Sequence, residues 1–144
     1  WRDFDFDVFF QGIGKKDVVL GGNQFWGFGN EWHVPFKHAL DSWTEDNRNA
    51  YFPRSTYDNV TGNRETQTRY LQNAAYLRLK SITLGYSLPK ALLGKWKIDH
   101  VRFYVSGQNL LTFDHLFDIY DPETVSLSTY PLTKSVSFGL NITL

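Results

Sequence analysis

The sequence contains no cysteine, so neither disulfides nor thiolate-bound metals hold the chain together. No apolar run approaches the ~18 to 20 residues that a membrane-spanning helix requires; the runs are at most three or four residues long, such as Val8-Phe9-Phe10 and Val18-Val19-Leu20. Helical membrane spans are therefore excluded. Neither sign of charge is in excess, since 15 Lys+Arg balance 15 Asp+Glu. That argues against a basic nucleic-acid surface and against an acidic disordered tail. The chain opens at Trp1 with neither an initiator Met nor an apolar targeting segment, and it is expected to be a piece of a longer protein.

Signs of catalysis are equally sparse. His33, His38, His100 and His115 are scattered, and none forms a helical i, i+4 metal pair with a glutamate between. Gly12-Ile13-Gly14 lacks the third glycine of a dinucleotide fingerprint and marks a strand end. Asn59-Val60-Thr61 and Asn141-Ile142-Thr143 match a glycosylation sequon by accident. No catalytic residue, metal or cofactor is expected.

What is present is an aromatic content of 17% and a strict two-residue period. Val136, Phe138, Leu140, Ile142 and Leu144 alternate with Ser135, Ser137, Gly139, Asn141 and Thr143. Phe4, Phe6, Val8 and Phe10 oppose Asp3, Asp5, Asp7 and Gln11, with Phe9 as the exception. Val101, Phe103 and Val105 oppose Arg102, Tyr104, Ser106 and Gln108; Ile82, Leu84, Tyr86 and Leu88 oppose Ser81, Thr83, Gly85 and Ser87. Successive strand side chains point to opposite faces, so each segment has one greasy and one wet side. At Leu77 and Leu79 the phase flips, leaving Arg78 and Lys80 on the apolar register. This predicts either a bulge or a membrane edge where cationic stems snorkel.

The expected strands cover about 3–12, 76–88, 100–109 and 134–144. Their lengths suit a strand tilted ~45° across a bilayer core, which needs ~9 to 11 residues. The connections alternate: a long loop over about 13–75, a compact turn over about 89–99, and an intermediate loop over about 110–133. Transmembrane barrels alternate short periplasmic turns with long extracellular loops, so the expected fold is all-β, a transmembrane antiparallel barrel. In that topology the last strand runs down to a periplasmic C-terminus. The expected lipid-facing residues are Phe4, Phe6, Val8, Phe10, Ile82, Leu84, Tyr86, Val101, Phe103, Val105, Val136, Phe138, Leu140, Ile142 and Leu144. Tyr76, Tyr86, Tyr104 and Trp96 are candidates for the interfacial aromatic girdles, with Trp96 on the periplasmic one.

Two acidic groups invite a metal reading. Asp3, Asp5 and Asp7 lack the Gly and bidentate Glu of a calcium loop; they read as a hydrated lumen face, or as the partner of a cation or of a cationic plug residue. Asp114, Asp118, Asp121 and Glu123 read as a solvated loop, or as a calcium site. The long loop carries Phe25, Trp26, Phe28, Trp32, Phe36, Trp43, Tyr51, Phe52 and Tyr57 among Gly, Asn and charged residues. Sugars and peptides present apolar faces that such rings cover, making Trp26, Trp32 and Trp43 the candidate substrate contacts; packing of the loop or against a lid is the alternative. Pro35 to Trp43 is expected to form a short helix with Phe36, Leu40 and Trp43 on one face.

The segment Asn73 to Phe113, NAAYLRLKSITLGYSLPKALLGKWKIDHVRFYVSGQNLLTF, closely resembles the C-terminal region of SusC/RagA TonB-dependent transporters. The resemblance extends to Tyr120-Asp121-Pro122-Glu123, the closing SVSFGLNITL, DSWTEDN followed by YFPR (Asp41 to Asn47, Tyr51 to Arg54), and Phe9 to Gly12. It implies the last four strands of a parent barrel of about 22, a plug, a TonB-contacting segment outside this chain, a SusD-like surface lipoprotein as lid, and uptake of oligosaccharides or oligopeptides across a bacterial outer membrane. Such barrels usually end on an aromatic residue, whereas Leu144 stands last here; Ser137, Gly139, Ile142 and Leu144 otherwise fit the signal that barrel-assembly machinery reads. A soluble carbohydrate-binding module and a passive porin are the rival readings. The former would require its apolar faces to be buried under a second sheet and its strands to be shorter.

Overall fold

The computed structural model describes residues 3–27, 32, 34–56, 62–94, 98–130 and 132–144. Trp96, His33, Phe28, Tyr57 and the Asn59 sequon, all singled out above, lie outside them. The chain divides into two compact units, Trp1–Lys16 with Ala74–Leu144, and Asp17–Asn73.

The first unit is a four-stranded antiparallel sheet in the order β1-β4-β5-β6, formed by Phe4–Ile13, Tyr76–Ser87, His100–Asp114 and Ser135–Thr143. β2 (Asp17–Val19) and β3 (Leu71–Asn73) belong to the second unit. β4 and β5 are joined through a single helical turn, Lys90–Leu93, whose Leu93 is buried, as is Val101 at the start of β5. No described helix is long and apolar enough to cross a membrane.

Register turns the alternation of each strand into two continuous faces. Phe4 pairs with Tyr86, Tyr86 with Phe103 and Phe103 with Leu140; the next apolar row is Phe6, Leu84, Val105 and Phe138. Directly opposed residues share a face, so both rows lie on one side of the sheet. That side is open: Phe6 is 63% exposed and Leu140 51%. The opposite side carries the polar rows, including Asp7, Thr83, Ser106 and Ser137.

The phase flip in β4 is a bulge. Phe9 pairs with Ser81 but Phe10 with Leu79, so Lys80 is the extra residue, and the same step breaks the β5 register between Gln108 and Leu111. One extra residue turns every following side chain to the other face. Leu77 and Leu79 thereby join the apolar face beside Phe10, Leu111 and Phe113, and Arg78 joins Gln11 and Thr112 on the polar one. Arg78 does not snorkel at an edge; it is 3% exposed. The bulge also explains why β5 runs five residues past the expected stop at 109: Asn109, at φ 52, mimics a strand end, after which alternation resumes through Leu111 and Phe113.

The second unit contains a two-stranded antiparallel ribbon, β2 (Asp17–Val19) with β3 (Leu71–Asn73), which lay within the expected long loop. The amide of Leu20 continues it by donating to the Tyr70 carbonyl at 2.9 Å. The helix expected over Pro35 to Trp43 is reduced to one 3-10 turn, Lys37–Leu40. Its expected apolar stripe is not its buried side, for Leu40 is 80% exposed and Ala39 is buried. Chain beyond it is drawn off into a bridge between Ser42 and Phe52, with the Trp43 amide donating to the Phe52 carbonyl at 3.0 Å; helix hydrogen bonding cannot satisfy the same groups.

Candidate functional site

Within Asp17–Asn73 the aromatic residues form a core of their own. Phe25, fully buried, meets Trp26 at 5.0 Å, Phe52 at 5.0 Å and Tyr70 at 5.7 Å between ring centroids, all edge-to-face. Trp26 also sits edge-on to Tyr70 at 4.8 Å. Edge-to-face pairing sets each ring's positive rim against its neighbour's negative face. Burial lifts the Tyr70 phenol above its ordinary pKa of 10.0, keeping it neutral in the cluster. His38 is part of the same packing: its Nε2 lies 2.9 Å from the Phe25 carbonyl and its ring stacks near Phe36.

Several charged residues of this unit bind backbone. Asp41 accepts from the Asn47 side-chain amide and from the Tyr51 backbone amide, each at 3.1 Å, closing the loop between them. Arg69 donates through Nε to the Tyr51 carbonyl at 3.0 Å and through Nη2 to the Ala50 carbonyl. These bonds hold Trp43 and Tyr70 at the wall of a hollow of about 370 Å³, also lined by Arg48, Arg54, Asn63 and Gln67. A second hollow of about 350 Å³ shares Trp43 and Arg54 and adds Ser42, Thr44, Glu45 and Ser55.

The three tryptophans singled out in the sequence therefore differ in their surroundings. Trp26 is a half-buried member of the aromatic core, Trp32 is 84% exposed, and Trp43 lines both hollows. Sequence reasoning passed over Arg48, Arg54 and Arg69, which share the larger hollow; the signal was the recurrence of Arg around the Tyr51 to Arg54 motif.

In the sheet unit two polar assemblies stand out. Arg78 donates through Nη1 to Glu123 at 2.7 Å, through Nη2 to Asp121 at 2.6 Å and through Nε to the Thr112 hydroxyl at 2.9 Å. Lys80 donates to both Glu123 carboxylate oxygens at 3.1 Å, and Lys16 to the Pro122 carbonyl at 2.9 Å. Asp121 Oδ1 meanwhile accepts from the Glu123 amide at 2.9 Å. Asp121 and Glu123 are thus half-buried and paired with Arg78 rather than free loop acids. They latch the loop after β5 onto β4. Among the described residues no group of His, Asp and Glu is gathered to hold a metal.

The second assembly crosses the strands. Arg102 donates through Nε to Asp5 at 2.9 Å and its second nitrogen also bonds that carboxylate, while its guanidinium lies over the Tyr104 ring at 5.2 Å. Two glycines make room: a Cβ at Gly85 would strike Asp5 and Arg102, and one at Gly139 would strike the Tyr104 ring. Asp5 therefore has a partner within the chain. Tyr104 lies on the polar face and Tyr76 is buried with Arg78 5.8 Å above its ring, so neither forms a girdle; Tyr86 is on the apolar face, 4.6 Å from Phe4.

No family model matches the chain. Over 99% of its length it is 26% identical to TonB-dependent receptor P26 and 28% identical to TonB-dependent receptor P3, both of Formosa agariphila. It spans only 16% and 15% of the lengths of these relatives. Solved structures of the RagAB peptide importer resemble it at 28% identity. The closed-closed state gives a TM-score of 0.71 over 99% of this chain and 16% of that one, and the open-open state 0.70 over 100% and 16%. These likenesses support the resemblance seen in the sequence. Throughout its length the chain matches the antiparallel barrel part of SusC/RagA-type TonB-dependent transporters.

Proposed function

We propose that this chain forms wall and outer loops of a bacterial outer-membrane barrel that imports oligosaccharides or oligopeptides, driven through TonB, with a plug inside and a SusD-like lipoprotein as lid. The observation that carries the reading is the continuous apolar face. Its rows run unbroken across four paired strands and stay open, while the reverse face bears Asp5, Arg102 and Arg78. Such a sheet suits hydrocarbon on one side and water on the other. A soluble carbohydrate-binding module would cover that face with a second sheet, and among the described residues none does.

In this reading the short connection around Lys90–Leu93 is periplasmic, and the Asp17–Asn73 unit and the latched loop after β5 are extracellular. Ser137, Gly139, Ile142 and Leu144 address the assembly machinery. The RagAB structures, named as those of a peptide importer, support a peptide cargo, whereas the names of the curated relatives specify none. The fragment itself performs no bond chemistry.

The test is to express the full-length parent with an affinity tag in its native host, and to identify by mass spectrometry the lipoprotein and solute that co-purify. Growth on that solute should stop when TonB is disrupted. Growth that continues without TonB would instead favour a passive porin, and recovery of the parent from the soluble fraction would sink both.

A further inference from the structure

We propose that the hollow beside Trp43 is a carboxylate-binding subsite for the imported solute, an inference that rests on the transport reading above. Among the described residues its lining includes Arg48, Arg54 and Arg69 and no Asp or Glu. Like charges lining one hollow repel one another, and an anion entering it relieves that repulsion.

The three arginines play different parts. Arg69 is fixed by its bonds to the Tyr51 and Ala50 carbonyls, so its charge is a permanent feature of the wall. Arg48 is tied through Nε to the Glu45 carbonyl at 3.1 Å. Arg54 makes no hydrogen bond or ion pair with any described residue, and it is exposed. Its five donors form a planar fork that matches the two oxygens of a carboxylate. Trp43 and Tyr70 add ring surfaces for the apolar part of a ligand.

Size and the adjoining hollow narrow the chemistry. A volume of about 370 Å³ lies at the small end of small-molecule sites, enough for a terminal unit of an oligomer rather than the whole. The adjoining hollow, which shares Trp43 and Arg54, carries Glu45. A second acid there would be repelled, so the ligand places one carboxylate over the arginines and a neutral or amine-bearing portion beyond it. Uronate-terminated oligosaccharides and the C-termini of short peptides both present that group.

The experiment titrates the purified full-length transporter, with its lipoprotein, by calorimetry against a trisaccharide bearing a single terminal glucuronate and its methyl ester, and against trialanine and its C-terminal amide. One acid is expected to bind at least ~10-fold more tightly than its neutral form, and whichever binds identifies the source of the carboxylate. Salt at ~0.5 M should weaken that binding. Arg54→Ala should lower the affinity roughly 10-fold, and Arg54→Lys should recover only part of it because a lysine lacks the fork. Folding of each variant is read from its heat-resistant barrel band. If neither acid binds, or if the acid binds Arg54→Ala and Arg48→Ala as tightly as the unaltered protein, the subsite is refuted. TonB-dependent growth on the co-purifying solute is measured in parallel, so import that persists with unchanged acid binding refutes this inference alone.

Discussion

Arg78 on β4 holds Glu123 at 2.7 Å from a position that is almost completely buried. Removing the cation would leave Asp121 and Glu123 facing each other, and Lys80 compensates only one of them. Arg78→Ala is therefore expected to destabilise the sheet unit by about 3 kcal/mol, the range for breaking a buried pair on one side. Glu123→Gln, which leaves Asp121 on Arg78, should have a smaller effect. The temperature at which the full-length barrel loses its fast-migrating folded band on a semi-native gel measures both; equal shifts would show that Asp121 adds nothing.

Facing can be tested one residue apart. Phe138 lies on the apolar face and Ser137 on the polar one, opposite Ser106. Phe138→Lys in the full-length parent should cost roughly 2 to 4 kcal/mol if its site is near mid-membrane. Ser137→Lys should be far milder. The same gel assay applies, and equal losses would contradict the assignment of faces.

The Tyr104 ring over Gly139 predicts a non-additive pair. Gly139→Ala forces the ring aside and should cost ~1 to 3 kcal/mol, as overpacking does. Once Tyr104→Ala has removed the ring, the same glycine substitution should cost almost nothing. A double-mutant cycle on unfolding in urea measures the coupling; additivity would mean that the ring shifts away freely.

For the loop unit, Trp26 and Trp43 should separate. Trp26→Ala removes edge-to-face contacts with Phe25 and Tyr70 and should destabilise that unit by about 2 kcal/mol or more, seen as faster protease cleavage within residues 17–73. Trp43→Ala should leave cleavage unchanged and weaken solute binding by calorimetry. Faster cleavage in both would place Trp43 in the core as well.

How far the sequence discloses all this depends on the range of each interaction. The apolar face was readable because a two-sided sheet imprints period two on every strand, and even the bulge announced itself as the slip at Leu77 and Leu79. The latch was not readable. Asp121 and Glu123 lie 43 and 45 positions from Arg78, and no local pattern distinguishes them from solvated loop acids. Pro35 to Trp43 misled for the opposite reason: its local spacing favours a helix, but the bridge from Ser42 to Phe52 takes the backbone groups that helix needs. The substrate reading of the tryptophans went by residue type, whereas burial separates Trp26 from Trp43 and convergence brings in Arg54.

The Ala74 amide donates to the Lys16 carbonyl at 2.7 Å, so the chain leaves the sheet and returns to it through adjoining doorposts. Whatever is strung between those posts can be rewritten, lengthened or exchanged without asking a single rung of the ladder to move, because the entropy of closing a longer excursion rises only slowly. Evolution could then retailor this cassette while leaving the sheet that carries it unaltered.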